Sequence, residues 1–451
     1  MESHNSTNIL YLLAAGAALG GAAYMANQYF PELLNNKTPI KVPASSSPPK
    51  KGKYNSDPDA PPPEPTPLYI TPEQVKTRDD RPWRPFRWPY HQTMSIFKLD
   101  VNHWLDMDKY YYDYIKEKER VFHTYGKDNF DHLPGSEEAC LELMEMVKSH
   151  MLKRYPLLFT TEDNGVHVKN ELTGETLDFS LPLKLDPLIY ISKMAKEDFY
   201  IVLKDEEGVH RLMAAAVPFP GGSFGIKHKL GKTLDVIHTE VPYYEAKLKP
   251  SMERWFAKMV PADLVERASW YISWDHRLLL NSVYALKESD KVESTVPPTE
   301  FNVRVERQTL RRLPKSKAII FTNHPVFYSI EEMKDEPLVP SLIRKIIFEA
   351  PEGIIKYKNF ESFRDHIVPY LNKLVDRQVD LGLIQEDTPV KTLPYYPFAH
   401  FLKESDAEKG WNNPKYATNY SETFKKEISV TEKLEKETYD RVEAGPNPFD
   451  V

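Results

Sequence analysis

Two pairs of short apolar runs, each pair joined by a polar turn, set the firmest limit on the fold of this chain. Residues 199–203 and 210–217 form the first pair, and residues 303–310 and 318–322 form the second. Runs of this length and spacing are typical of β-hairpins. Since helical patterns lie between and after the hairpins, the sequence predicts an α+β domain with an antiparallel sheet and flanking helices.

The flanking helices are predicted from apolar residues that recur at helical spacing. The best of them has Ser136 as its N-cap, Glu137 and Glu138 in its first turn, and an apolar face that includes Leu141 and Met144. The predicted helices cover residues 110–122, 136–151, 252–259, 338–350 and 360–374.

Charge and cysteine content exclude several classes of function. The formal net charge of -7 over 451 residues leaves no electrostatic footprint for nucleic acid. The single cysteine, Cys140, rules out an intramolecular disulfide and any zinc or iron–sulfur site built from cysteines. It fits a reducing compartment such as the cytosol. Electrons for redox chemistry would therefore come from a cofactor or from another protein.

An uncharged apolar run at residues 9–26 is predicted to form a single N-terminal transmembrane helix, with the lipid bilayer as its partner. Lysines between positions 37 and 53 follow this run, so the positive-inside tendency predicts a single-pass membrane protein whose C-terminal domain faces the cytosol. A signal peptide is disfavoured because residues 1–8 contain Glu2 and no Lys or Arg. A buried alanine-rich helix is the other alternative.

Composition divides the chain into four parts. The anchor at residues 1–30 is followed by a proline-rich linker at residues 31–80, which is predicted to act as an extended spacer. The folded domain is predicted to begin at the aromatic segment after Arg81 and to cover residues 81–390. Residues 391–451 are charged and polar and are predicted to be a largely disordered tail.

His238 is the leading candidate for chemistry. It ends a predicted helix that follows the glycine turn at Gly221, Gly222 and Gly225, and such a position can present a neutral imidazole nitrogen to haem iron. On residue type alone, a core histidine with satisfied hydrogen bonds is favoured over a ligand. The glycines fit no phosphate-loop spacing, so we interpret them as a tight turn with close backbone approach.

Two arginines on the strand at residues 303–310 are the second candidate. Arg304 and Arg307 project from opposite faces of an alternating strand, and either guanidinium could bind the propionates of haem. The alternative is an internal network between Glu306 and an arginine, or a solvated strand face, and the pattern alone favours it.

Several separated motifs resemble the family of haem-dependent oxidative N-demethylase alpha subunits, in the form found in fungi. The resemblance covers residues 81–374 approximately. The residues that carry it are Phe86-Arg87-Trp88-Pro89-Tyr90, Asp100, Trp104-Leu105, Phe219-Pro220, Lys229-Leu230-Gly231, Ile237-His238, Val241-Pro242, Arg267, Trp270, Arg304 to Leu310 and Leu313-Pro314.

This resemblance implies a PAS-like domain that binds haem b and oxidatively demethylates a small secondary amine with O2 and electrons from a separate reductase. It implies His238 as the axial metal ligand and Arg304 and Arg307 as cofactor-binding residues, with His228 or His324 as the next candidate ligands. Ser269 and residues 323–326 depart from the family's pattern. A non-catalytic haem or small-ligand sensor, or a scaffold on the same fold, is therefore the alternative.

Overall fold

The computed structural model of the protein describes residues 57, 59–221, 225–274, 276, 278–279 and 296–400. The apolar run at residues 9–26 and nearly all of the predicted tail lie outside this part of the chain. Within the described residues, no helix combines the length and the apolar character needed to cross a membrane.

A seven-stranded sheet, antiparallel throughout, forms the centre of the domain, with strand order β1-β8-β9-β10-β6-β7-β2. A separate antiparallel sheet has the order β3-β4-β5. The strands are β1 (Phe97–Lys98), β2 (Phe130–His132), β3 (Phe159–Thr160), β4 (His167–Asn170), β5 (Thr176–Asp178), β6 (Asp198–Lys204), β7 (His210–Ala216), β8 (Val265–Ser273), β9 (Asn302–Arg312) and β10 (Ile319–Ser329).

Both predicted hairpins are confirmed, as β6–β7 and β9–β10, and the second is longer than expected. β10 continues to Ser329, although its apolar run is broken by Asn323, His324 and Pro325. Pro325 is tolerated because β10 pairs there with β9 alone, since its pairing with β6 ends at Asn323. A proline without an N–H is compatible with a strand only where one side needs no ladder bond.

The helices surround the sheet, as predicted. They are α1 (Pro72–Val75), α2 (Tyr111–Tyr125), α3 (Glu137–Arg154), α4 (Pro187–Met194), α5 (Ile226–Lys229), α6 (Leu234–Ile237), α7 (Lys249–Lys258), α8 (Val339–Glu349), α9 (Glu352–Tyr357) and α10 (Arg364–Asp380). Packing onto the domain begins upstream of Arg81, because Leu68, Ile70 and Val75 are buried in its core.

Two details of helix α3 differ from the sequence prediction. Ser136 occupies the predicted N-cap position, but its hydroxyl makes no capping hydrogen bond and instead donates to the carbonyl O of Leu133 at 2.6 Å. Leu141 is 42% exposed, so it lies outside the buried face, whereas Met144 is buried as predicted. The apolar face is shifted because α3 packs along residues such as Leu143 and Val147.

The two faces of the large sheet are covered differently. Helices α2 to α4 pack over one part of the first face, and α8 and α10 pack over another part of it, together with Trp83, Phe86 and Trp270. In the described part of the chain, the second face meets mainly the short helices α5 to α7, the end of α9 and extended segments. Short elements fill less volume than long helices, so the second face retains an internal cavity.

Candidate functional site

A partly open cavity lies on the second face of the sheet, beneath α5 to α7. The volume open to the centres of water-sized molecules is about 280 Å³, which is room for roughly nine waters at about 30 Å³ of liquid volume each. Its floor consists of side chains from β6 to β10, and its walls are the short helices, residues between 85 and 96, Tyr357, Lys358 and Tyr396. A concave site with a few polar groups is the usual form of a ligand pocket.

Strand register places polar residues side by side on the floor of this cavity. Arg267 of β8 pairs with Gln308 of β9, and Gln308 pairs in turn with Asn323 of β10. One step along, Ser269 pairs with Glu306. The apolar part of the lining includes Tyr200, Val202, Leu212, Phe256, Leu310, Ile319 and Phe321. The cavity therefore combines a polar patch with an extensive apolar surface.

His238 lies in the cavity wall, immediately after helix α6. The predicted helix is divided into α5 and α6 because Gly231 between them has φ +78, a left-handed conformation that glycine adopts readily. Thr233 caps α6 by accepting from the Val236 N–H. The His238 ring stacks on Tyr244, with ring centroids 4.9 Å apart and an interplanar angle of 6°. The imidazole is thus fixed by the helix end and by the aromatic ring.

The hydrogen bond of His238 determines its tautomer. Nδ1 lies 2.7 Å from the carbonyl O of Leu234. Because a carbonyl can only accept, Nδ1 carries the proton and Nε2 keeps a lone pair. Nε2 has no hydrogen-bond partner among the described residues. Burial lowers the pKa of His238, and the charges of Arg267 and Lys229 act in the same direction, so the ring is neutral at neutral pH.

The cavity also contains two cations that form no ion pair with a carboxylate of the described residues. Arg267 forms no hydrogen bond and no ion pair with any described residue, and its Nε is buried without an acceptor. Burial lowers the pKa of Arg267, and the acidic groups that oppose this effect are tyrosine hydroxyls rather than carboxylates. A guanidinium in this state is suited to binding a carboxylate from a ligand.

Lys358 contributes a second such cation. It is buried, its Nζ donates to the Trp270 carbonyl O at 2.5 Å, and the ring of Tyr271 lies 4.5 Å away. No carboxylate of the described chain forms an ion pair with it. Burial lowers the pKa of Lys358 to about 7, and the nearby charges of Arg267 and Arg87 contribute.

Arg304, predicted from the sequence to lie beside a cofactor, is held by the protein itself. It lies on the cavity side of β9, next to Glu306, and its Nε donates to the carboxylate of that residue. Glu306 also accepts from Asn323 Nδ2 at 2.6 Å. A Cβ added at Gly221 would stand 2.5 Å from the Glu306 carboxylate, so the predicted close approach of the glycine turn is confirmed. This arrangement matches the internal Glu306–arginine network that the strand pattern favours.

Arg307 projects from the opposite face of β9 and is absent from the cavity lining. Its Nη1 donates to Asp106 Oδ2 at 2.5 Å, its Nη2 donates to the His103 carbonyl O, and Glu266 lies 3.8 Å away. The structure therefore brings His238 into the cavity and leaves the two predicted arginines in ion pairs with protein carboxylates.

The two alternative histidines do not line the cavity either. His228 is exposed on helix α5. His324 is buried on the face that carries Arg307, with Nδ1 3.6 Å from Glu197. Of these three histidines, His238 is the one that reaches the cavity.

Sequence reasoning assigned no role to Arg267 or Lys358. Residues 265–269 contain no continuous apolar run of the kind that predicts the two hairpins, so the alternation that places Arg267 and Ser269 on one face of β8 was not predicted. β8 in fact begins at Val265. Lys358 follows helix α9, which no sequence pattern predicted. A buried lysine in a loop has no periodicity by which it could be recognised.

The sequence profile of a known family matches this chain. The family is described as haem-dependent oxidative N-demethylase, alpha subunit-like, and the match covers residues 95–368, which is more than half of the chain. The matched region contains His238, Arg267 and Lys358. The cavity wall contributed by Pro85, Arg87 and Tyr396 lies outside it.

Proposed function

The chain belongs to the haem-dependent oxidative N-demethylase, alpha subunit-like family, and from this premise we propose that it is a haem-binding, monooxygenase-like protein that removes a methyl group from a small secondary amine. The antiparallel sheet serves as a PAS-like platform, and electrons come from a separate reductase. The observation that carries this proposal is the neutral His238 in the cavity wall, with its Nε2 lone pair left without a partner.

The residues present in the cavity fit haem b. A metal-binding histidine usually donates its other ring N–H to a carbonyl or carboxylate, and Nδ1 of His238 does so to Leu234. Haem carries two carboxylates, and the half-buried Arg267 and the buried Lys358 are cations without a carboxylate partner among the described residues. The apolar lining suits the macrocycle. When bound, haem supplies the iron centre for O2-dependent oxidation.

Each residue has a distinct task in this proposal. His238 holds the iron through Nε2, and Leu234 and Tyr244 keep its ring in one orientation. We propose Arg267 and Lys358 as the propionate-binding groups, because Arg304 and Arg307 already bind protein carboxylates. The apolar lining excludes water from the reacting centre, which strengthens the remaining electrostatic contacts.

Haem binding and turnover test the proposal separately. The full chain supplied with haem should show a Soret band. With an electron donor and small secondary amines, it should release formaldehyde only when O2 is present. Failure to bind haem would refute the proposal entirely and favour the scaffold. Haem binding without oxygen-dependent formaldehyde would favour the sensor.

One observation favours the non-catalytic sensor as a second candidate. Ser269 and Asn323, two positions that depart from the pattern implied by the family resemblance, both lie on the cavity floor. Asn323 is bonded to Glu306, and Ser269 donates to the Tyr271 hydroxyl at 3.3 Å. The departures at Ser269 and Asn323 would therefore affect contacts with a substrate more directly than iron binding by His238, which lies in the wall.

Haem affinity is expected to decrease as pH rises because Lys358 loses its proton and its charge. Burial lowers its pKa to about 7, and a bound carboxylate would raise that pKa, so binding takes up a proton. Affinity should therefore be greatest below about pH 7 and should fall above it. Lys358→Met should remove this dependence, measured by Soret titration between pH 6 and 9. Lys356→Met, an exposed neighbour bonded to Glu352, should retain it.

We also propose that residues 9–26 tether the protein to a membrane with the domain on the cytosolic side, because this run is uncharged and is followed by lysines. Protease added to oriented, intact membranes should digest the domain from the cytosolic side. If the domain lies inside the sealed vesicles, on the side of the membrane away from the cytosol, and is completely protected from the protease, this topology is wrong.

A further inference from the structure

A second cluster of donors without acceptors lies on the face of the sheet opposite the cavity. Arg311 is 2% exposed, and its guanidinium carbon lies 4.0 Å from the ring centroid of Trp104. His150 of helix α3 packs edge-on against the same indole, with ring centroids 5.2 Å apart. Arg154, one turn further along α3, is also buried. Strand β9 and helix α3 thus meet at Trp104.

Several polar atoms of this cluster have no hydrogen-bond partner among the described residues, although Arg154 Nη1 donates to the Thr66 carbonyl O at 2.8 Å. Arg311 makes no hydrogen bond and no ion pair with any residue that the structure describes. Arg311 Nε, Trp104 Nε1, His150 Nε2 and Arg154 Nε are all buried without a hydrogen-bond partner in the described part of the chain. Most buried polar groups in folded proteins have a partner, so these four atoms indicate that a polar partner is missing from the cluster.

The charge of the cluster points to an anion. Burial lowers the pKa of Arg311 to about 9, and the only opposing charge is the exposed Glu64, which is bonded to Lys153. Burial lowers the pKa of His150 to about 3, with Arg311 and Arg154 acting in the same direction, so His150 is neutral. Two guanidinium groups therefore share this region. Asp106, the buried carboxylate whose charge acts on His150, is already paired with Arg307.

We propose that Arg311, His150, Trp104 and Arg154 form a binding site for a small monovalent anion such as a halide. Arg311 supplies the charge, and the ring and guanidinium N–H groups supply donors. The occupant is compact, because the four side chains that surround it are each 6% exposed or less. The site is independent of the cavity, because Arg311 belongs to the face of β9 that also carries Arg307.

Thermal unfolding of the full chain in chloride tests this site. Sodium chloride is exchanged for sodium gluconate at constant ionic strength, since gluconate is too large to enter. As the chloride concentration increases, the unfolding midpoint of the wild type should rise by roughly a few degrees and then reach a plateau. A ligand that binds only the folded state stabilises it in this way. If chloride raises the unfolding midpoint no more than gluconate does, the proposal is wrong.

Arg311→Met should abolish the chloride response. In gluconate this variant should unfold at a midpoint equal to or above that of the wild type, because a buried charge without a partner costs more than an apolar side chain. An arginine with a merely structural role would lower the midpoint in both salts. Arg312→Met is the matched control, because Arg312 bonds to the carbonyls of Lys317 and Phe256, and it should keep the response.

Two results locate the anion. Crystals soaked in bromide should give an anomalous peak in contact with Arg311, and its absence at saturating bromide would overturn the proposal. A chloride response that survives Arg311→Met but disappears in Arg267→Met would place the anion in the cavity, and would overturn it as well.

Discussion

His238→Ala is expected to abolish the Soret band of the haem-loaded protein or to displace it, and to lower haem affinity by more than about 100-fold. Changes to groups that merely orient a metal ligand cost about 10–100-fold in affinity, and this substitution removes the ligand itself. The apolar lining and Arg267 would still contact the macrocycle, but neither offers a lone pair to iron. Soret titration of the purified chain with haem measures both effects.

Two variants make this result specific to the ligand. His238→Gly should regain a wild-type-like spectrum when imidazole is added, because free imidazole can replace the missing ring. His228→Ala, on the exposed side of α5, should leave the spectrum unchanged. If His238→Ala keeps the wild-type spectrum, His238 is not the ligand.

The sheet was predictable because its strands carry strong local patterns. Strands β6, β7, β9 and β10 were predicted from apolar runs separated by turns. β6 and β9 extend their runs by one or two residues at each end, β7 ends one residue earlier, and β10 continues seven residues further. The end of β10 was missed because Pro325 interrupts the run. Because proline has no N–H, it does not fit a strand position whose N–H must bond to a neighbouring strand. Whether that bond is needed depends on which strands lie alongside, which is a property of the tertiary fold.

The cavity was only partly predictable, for a related reason. His238 was identified because its position after a glycine turn and a short helix is written in consecutive residues. Arg267 and Lys358 come together from β8 and from the end of α9, and no local pattern predicts that meeting. The sequence also cannot show which arginines are neutralised. On sequence alone, Arg304 and Arg307 suit an anionic ligand as well as Arg267 does. The structure shows that Arg304 and Arg307 form ion pairs with Glu306 and Asp106.

Asp106→Ala is expected to produce the largest loss of stability among single substitutions outside the cavity, about 3–5 kcal/mol in the free energy of unfolding. Asp106 is 7% exposed and pairs with Arg307, which is 1% exposed. It also contacts His103 Nδ1 at 3.0 Å. Truncation leaves the Arg307 charge buried, with Glu266 at 3.8 Å as the remaining carboxylate. Denaturant unfolding monitored by circular dichroism measures this loss.

The pH dependence of the loss identifies its electrostatic origin. Burial alone would raise the pKa of Asp106, but Arg307 and His103 outweigh it and hold that pKa well below 3.8. Because the folded-state pKa is depressed, the stabilisation by Asp106 is fully present above about pH 4 and is lost as pH falls through the folded-state value. The difference in the free energy of unfolding between wild type and Asp106→Asn should therefore shrink in acid.

Glu352→Ala is the control variant: Glu352 forms an exposed pair with Lys356, and its loss should cost at most about 0.5 kcal/mol. An equally small loss for Asp106→Ala would show that the Arg307 charge is solvated and that this network does not stabilise the sheet.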